Sequence, residues 1–212
     1  MAGPLSGAAA GDLRAFEAPP VDPFVMLEEW LHHAALSAVR EPLSMTLATA
    51  SAEGAVSART VDVKRVDARG LVFGTSRASR KGADLSENPR AALQVYWRET
   101  MQQLRFEGRI EQLNDDESDA LFAARSPASR AATAVARQSA VFDESATLAD
   151  LGDAARALQD EQGPDVPRPA DWVALRLVPL SIEFWQGSRD RLHRRLRYRR
   201  EGDAWEAERL QP

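Results

Sequence analysis

The chain contains no cysteine, which excludes a disulfide framework, a thiol nucleophile and a thiolate metal site. Three histidines are too few for a histidine-based zinc centre, and the adjacent pair His32-His33 lies in a helical stretch where neighbours point in different directions. No apolar run approaches the roughly 20 residues that a bilayer requires. The N-terminus lacks the basic-then-apolar layout of a secretory leader, so the expectation is a soluble cytoplasmic protein. A net charge of −5 gives no general pull toward nucleic acid. The motifs G-x-S-x-G, G-x-x-x-x-G-K-[ST] and H-E-x-x-H and a Gly-rich dinucleotide loop are also absent. Ser129 and Ser139 have no histidine near them in sequence, and the scattered carboxylates give no basis for a glycosidase pair.

What remains, in 212 residues, is enough for one domain with a real core. Residues 1–21 are rich in Ala, Gly and Pro without periodicity and read as a mobile tail; residues 22–212 read as a single domain. Asp22-Pro23 is a helix start, and Phe24, Leu27, Trp30 and Leu31 follow at helical spacing. The period then changes. Residues 43–50, 56–64 and 71–76 read as strands, 80–87 as a short helix closed by Asn88-Pro89, and 91–97 and 101–113 as a second antiparallel pair. Helices are expected over 115–125, 130–139 and 148–162. A strand over 172–185, broken by Pro179, and a hairpin of 192–199 with 204–210 follow. Short strands joined by tight turns, with helices set apart, predict an α+β fold built on an antiparallel barrel.

Two stretches concentrate chemistry. In the first, Arg59 to Lys64 and Leu71 to Ser76 are expected to pair as a hairpin about Asp67-Ala68-Arg69-Gly70. Ser79 then caps a helix whose N-terminal N–H groups and dipole favour an anion. Arg59, Lys64, Arg80 and Lys81 add cations suited to a phosphate monoester, although a hairpin with solvated charges has the same composition. In a regular strand Arg59 and Lys64 point to opposite faces, so both reach one ligand only through a bulge or around an edge. The second stretch, residues 185–198, is dense in arginine. It is open to three readings: a nucleic-acid patch, a solvated strand, or one wall of a pocket. In the last, alternation puts Arg191, His193 and Arg195 on one strand face with Trp185 alongside.

Taken in order, Arg59…Lys64, Ser79-Arg80-Lys81-Gly82, Glu87-Asn88-Pro89, Gln103, Gln138-Ser139, Ile182-Glu183-Phe184-Trp185-Gln186-Gly187 and Arg191-Leu192-His193-x-Arg195 resemble the pyridoxamine 5′-phosphate oxidase superfamily of flavin proteins. The resemblance runs from about Glu41 to Pro212. It implies an antiparallel split β-barrel with peripheral helices, forming a homodimer with FMN at the subunit interface. It further implies that Arg59, Lys64, Thr75, Ser76, Arg80, Lys81, Gln103, Gln138, Ser139, Trp185 and Arg195 contact FMN, some of them from the partner chain. Lys64, Leu121, Arg125, Ser129, Arg191 and His193 fall at substrate positions, with Arg191 and His193 beside the reacting ring. No metal is implied.

The departures lie on the substrate side. The family's phosphate-binding tyrosine falls at Leu121, its second-strand tyrosine at Gly74, and its Arg-Pro pair becomes Arg125-Ser126-Pro127. The segment between Ser129 and Gln138 is alanine-rich. Arg40 to Thr49, Tyr96 to Gln103 and Ala136-Arg137-Gln138-Ser139 are similar to the phenazine-biosynthesis oxidases of the superfamily. This branch implies an FMN-dependent oxidase of dihydrophenazine carboxylic acids, a small aromatic substrate, with electrons passed to O₂. His193 is then a proton acceptor or a positioning group. The alternatives are a pyridoxine/pyridoxamine 5′-phosphate oxidase, or a non-enzymatic protein that binds flavin or nucleic acid.

Overall fold

The computed structural model describes residues 7, 13–143 and 145–212. The first helix, α1 (Pro23–Leu36), starts as the sequence dictates. The Asp22 carboxylate accepts from the Phe24 N–H at 2.9 Å, and Pro23 takes the first helical position, where its missing N–H costs nothing. The helix buries Met26, Leu27, Trp30 and Ala34. Trp30 lies edge-on to Phe184 at 5.2 Å, with Phe16 at 6.2 Å and Trp97 at 6.4 Å, separations at which rings attract beyond their buried area. Of the tail expected over 1–21, residues 1–6 and 8–12 lie outside the described residues. Two of the described residues are anchored: Phe16, in the 3-10 turn Arg14–Phe16, is 4% exposed, and the Tyr198 hydroxyl donates to the Pro20 carbonyl at 2.9 Å.

Among the described residues nine antiparallel strands form one sheet: β1 (Ser44–Ala50), β2 (Val56–Asp62), β3 (Arg65–Asp67), β4 (Gly70–Ser76), β5 (Arg90–Trp97), β6 (Gln102–Gln112), β7 (Trp172–Gln186), β8 (Arg194–Glu201) and β9 (Ala204–Leu210). Their order is β2-β1-β5-β6-β7-β4-β3, with β8 also on β7 and β9 on β8. The 15-residue β7 is the seam. It pairs with β6 along one edge, while on the other it holds β4 at its start and β8 at its end. The sheet therefore curls around a core that includes Leu47, Leu93, Phe106, Ile182, Phe184 and Leu196. Among the described residues four further helices, α2 (Arg80–Glu87), α3 (Asp115–Ala123), α4 (Pro127–Val135) and α5 (Leu148–Gln162), accompany it. This is the split-barrel α+β architecture expected from the sequence.

Three local expectations are corrected. First, β2 does not pair with β4. It pairs with β1, Arg59 opposite Leu47, and the tight hairpin is β3–β4. The chain changes partner at Val63-Lys64: the Val63 N–H donates to Leu43 O at 2.9 Å and the Lys64 N–H to Val72 O at 2.7 Å. Arg59 and Lys64 are thus not in one continuous strand, and the objection that they face opposite ways falls. Second, Pro179 does not break β7. Proline cannot donate to a ladder, and the register slips by one residue there, Glu107 facing Ser181 and Gly108 facing Pro179. Third, α4 begins at Pro127 rather than Arg130. Ser126 caps it, accepting from the Ser129 N–H at 3.3 Å, and it ends at Val135, before Gln138-Ser139.

Candidate active site

β4 delivers the chain to α2, and the cap fixes how α2 starts. Ser79 Oγ accepts from the Gly82 N–H at 3.2 Å, an interaction worth about 1 kcal/mol at a helix start. Position 82 must be glycine, since a Cβ there would stand 2.4 Å from Arg77 O and 2.6 Å from Ser76 O. This first turn brings Arg80 and Lys81 toward Arg59, which is on the inward-facing side of β2. Lys81 is 7% exposed, and its ammonium donates to Ser79 Oγ at 3.3 Å. Burial, and then the charge of Arg59, lower the Lys81 pKa to about 8. Burial also depresses Arg59, opposed by the Asp84 carboxylate and reinforced by Arg80.

A cavity of about 720 Å³ opens beside these cations. Its lining includes Arg59, Lys64 and Lys81 together with Leu121, Ala124, Arg125, Ser129, Gln138 and Trp172. An adjoining hollow of about 370 Å³ adds Thr75, Ser76 and Thr133. Gln138 Oε1 accepts from Thr75 Oγ1 at 3.3 Å and from the Ser76 N–H at 3.5 Å, tying the loop after α4 to the end of β4. The Arg125 guanidinium lies 5.5 Å from the Trp172 ring centre and 5.7 Å from that of Phe122. Its Nη2 donates to Ser129 O at 3.2 Å and Thr133 Oγ1 at 2.8 Å, while its Nε is buried with no hydrogen-bond partner. Burial lowers the Arg125 pKa. Trp172 lies flush against β4 because residue 74 is glycine: a Cβ there would stand 2.2 Å from the indole.

The remaining expected residues form a second group. Gln103, Trp185 and Arg195 are register neighbours across β6, β7 and β8. Gln103 Oε1 accepts from Gln94 Nε2 at 3.2 Å, and Arg195 Nε donates to the buried Glu183 at 2.8 Å. The His193 ring is 4.7 Å from Trp185. The expectation that Arg191, His193 and Arg195 share a strand face is corrected, because β8 begins at Arg194. Arg191 precedes it in a left-handed conformation, φ 69°, which is uncommon for a side-chain-bearing residue. His193 is held by the loop, its Nδ1 accepting from the Ser188 N–H at 3.1 Å. Ser139, at φ 71°, and Arg80 are exposed and do not line the cavity. None of Gln103, Trp185, Arg191, His193 and Arg195 lines it either, so a single chain presents the expected site as two groups.

Sequence reasoning missed three residues that shape the first group. Trp172 forms the flat wall. Asp171 accepts from the Ser76 hydroxyl, and its carbonyl from the Arg77 N–H at 2.7 Å. Asp84 accepts from Thr49 Oγ1 at 2.6 Å and lies 3.8 Å from Arg59 Nη2. Only Asp84 carried a signal, being one helical turn beyond Lys81.

Residues 31–185 match the family described as pyridoxamine 5′-phosphate oxidase. The chain belongs to this family. Residues 172–212 match the pyridoxine 5′-phosphate oxidase C-terminal dimerisation region, which supports a homodimer. Similar family members include a pyridoxine/pyridoxamine 5′-phosphate oxidase of Burkholderia orbicola (strain MC0-3), 47% identical over 194 residues, covering 90% of this chain and 89% of that one. Another of the same name, from Thermosynechococcus vestitus, is 44% identical over 191 residues, with the same shares covered. Among solved structures, PhzG from Burkholderia lata 383 in complex with tetrahydrophenazine-1-carboxylic acid has a TM-score of 0.91 at 39% identity, covering 97% of this chain and 100% of that one. A pyridoxamine 5′-phosphate oxidase-related, FMN binding protein from Nostoc punctiforme shares the fold, with a TM-score of 0.70 at 18% identity, covering 87% and 96%.

Proposed function

We propose that the protein is an FMN-dependent oxidase of reduced phenazine carboxylic acids. The observation that carries this reading is the apolar part of the lining that shares the cavity with the cation cluster. Leu121, Ala124 and the Trp172 ring offer apolar surface, and the Arg125 guanidinium lies against that ring with a buried, unpartnered Nε. A flat apolar body carrying a carboxylate matches such a wall. PhzG binds a ligand of that kind. Leu121 has no hydroxyl to offer a phosphate, which is the group a vitamin B6 substrate would bring.

The cation cluster fits the phosphate of FMN. The Lys81 ammonium is buried with one hydroxyl partner, and the charges of Arg80 and Lys81 both bear on Arg59. Arg59, Lys64, Arg80 and Lys81 would hold the phosphate, and Thr75, Ser76 and Gln138 would meet the ring edge. Gln103, Ser139, Trp185 and Arg195 would complete the site from the second protomer across the dimer interface. Bound FMN supplies the two-electron oxidation, with O₂ as final acceptor.

The chain's own groups bind and orient. Arg125 pairs with the substrate carboxylate, and Leu121 and Trp172 keep water from its aromatic body. His193 acts as a hydrogen-bond donor: its Nδ1 accepts from Ser188, so the neutral ring carries its proton on Nε2. Of the two roles open to it, positioning is therefore favoured over proton acceptance, and Arg191 supplies charge beside it. The arginines of β8 are largely committed, Arg195 to Glu183, Arg197 to Glu208 and Arg199 to Glu206 and Glu208, which weighs against a nucleic-acid patch.

A second reading, pyridoxine/pyridoxamine 5′-phosphate oxidase, draws support from the names of the relatives and from the presence of Lys64, Arg125, Ser129, Arg191 and His193. Oxygen uptake by FMN-loaded protein separates the two. Turnover of a dihydrophenazine carboxylate without turnover of pyridoxine 5′-phosphate is expected; the reverse would overturn the proposal.

A further inference from the structure

We propose that Asp84, acting through Thr49, is a positioning residue that holds Arg59 in the geometry that grips a phosphate. The inference rests on the reading of the cation cluster as the FMN phosphate site. Its starting point is a carboxylate where electrostatics alone would not put one. Asp84 is 7% exposed and stands on α2 one turn beyond Lys81, against a site read as binding an anion. A charge there opposes the anion, so its presence requires a compensating role.

The contacts supply that role. The Thr49 hydroxyl, itself 2% exposed, donates to Asp84 Oδ2 at 2.6 Å. With its proton committed, its oxygen serves as an acceptor toward Arg59 Nη1, at 2.7 Å. The second Nη1 proton goes to Leu47 O at 3.2 Å, and Nη2 donates to Ser57 Oγ and lies 3.8 Å from Asp84. The guanidinium is thereby fixed from β1, β2 and α2 together. This leaves Nε–H and one Nη2–H for a ligand. Without Asp84 the Thr49 rotor is released to donate elsewhere, and the guanidinium loses its fixed plane. A planar donor fork grips phosphate well only when its orientation is set beforehand.

Asp84→Ala, which removes the charge and the acceptor of the Thr49 hydroxyl together, separates this role from simple charge, because the two predict opposite signs. Removing a negative charge beside an anion site strengthens anion binding if charge alone matters; losing the positioning weakens it. FMN and riboflavin titrations, followed by flavin fluorescence, give the readout. The expectation is an FMN dissociation constant raised roughly tenfold, the loss of one charge-assisted hydrogen bond, with riboflavin affinity unchanged because riboflavin has no phosphate. Thr49→Val cuts the same link with no change of charge and is expected to match it, which keeps the test sharp if the Ala variant folds poorly. Equal or tighter FMN binding by both variants overturns the inference, and so does equal weakening of FMN and riboflavin, which marks a general structural role. Failure of the wild-type protein to bind FMN more tightly than riboflavin would instead overturn the phosphate-site reading on which the inference rests.

Discussion

Replacing Lys81 by methionine should stabilise the ligand-free protein at neutral pH while weakening its hold on a phosphate. The ammonium is buried beside Arg59, and its pKa falls from the ordinary 10.5 to about 8. Below pH 8 both folded and unfolded chains carry the charge, and the folded state bears the whole penalty. Between 8 and 10.5 the unfolded chain binds more protons than the folded one, so stability rises with pH in the wild type. At about 1.4 kcal/mol per pH unit the interval amounts to at most roughly 3 kcal/mol, and solvent reaching the ammonium reduces it to about 1–3 kcal/mol. Lys81→Met removes the penalty and keeps the length of the side chain. Urea denaturation of both ligand-free proteins should show the variant more stable by that amount near neutrality, with the difference shrinking as pH rises from about 8 to 10.5. A variant that is less stable at neutral pH, or a difference that does not change with pH, would refute the reasoning. In the wild type, FMN affinity should fall as pH rises through 8, where the ammonium loses its proton.

Other perturbations probe separate parts of the account. His193→Asn preserves an acceptor for the Ser188 N–H, and kcat should fall by less than about a hundredfold, the lower bound for removing a general base; a larger loss would restore His193 as proton acceptor. Leu121→Tyr should raise kcat/KM for pyridoxine 5′-phosphate by about tenfold, the value of one added hydrogen bond, and lower it for the phenazine substrate. Phe16→Ala removes a core ring packed on Trp30 and should cost about 3 kcal/mol in chemical denaturation; a negligible effect would mean that residues 13–21 are not part of the fold.

The features legible in the sequence were those set by neighbours along the chain. Asp22-Pro23 and Ser79 announced α1 and α2 through capping chemistry, and the alternation of Leu93, Val95 and Trp97 announced β5. Ser126-Pro127 carried the same signal as Asp22-Pro23 but stood within a run of alanine and serine that also suits a later start. What was not legible was pairing at a distance. Nothing local in Arg59 to Asp62 distinguishes a partner in β1 from one in β4; the choice is made where buried Val63 lets the chain cross over. Site residues follow the same division. Lys81 and Ser79 declare themselves within one turn of helix. Asp84 matters because of a threonine 35 positions away, and Asp171 because of a serine 95 positions away. Arg191 and His193 looked like a strand because alternation alone cannot register the left-handed φ at Arg191.

The most direct test mixes flavin-loaded protein with a dihydrophenazine carboxylate without oxygen, and separately with pyridoxine 5′-phosphate, while the visible absorption of the flavin is followed. The account predicts rapid bleaching by the reduced phenazine and a flavin that stays oxidised with the B6 phosphate. Rapid bleaching by pyridoxine 5′-phosphate with none by the phenazine would contradict it.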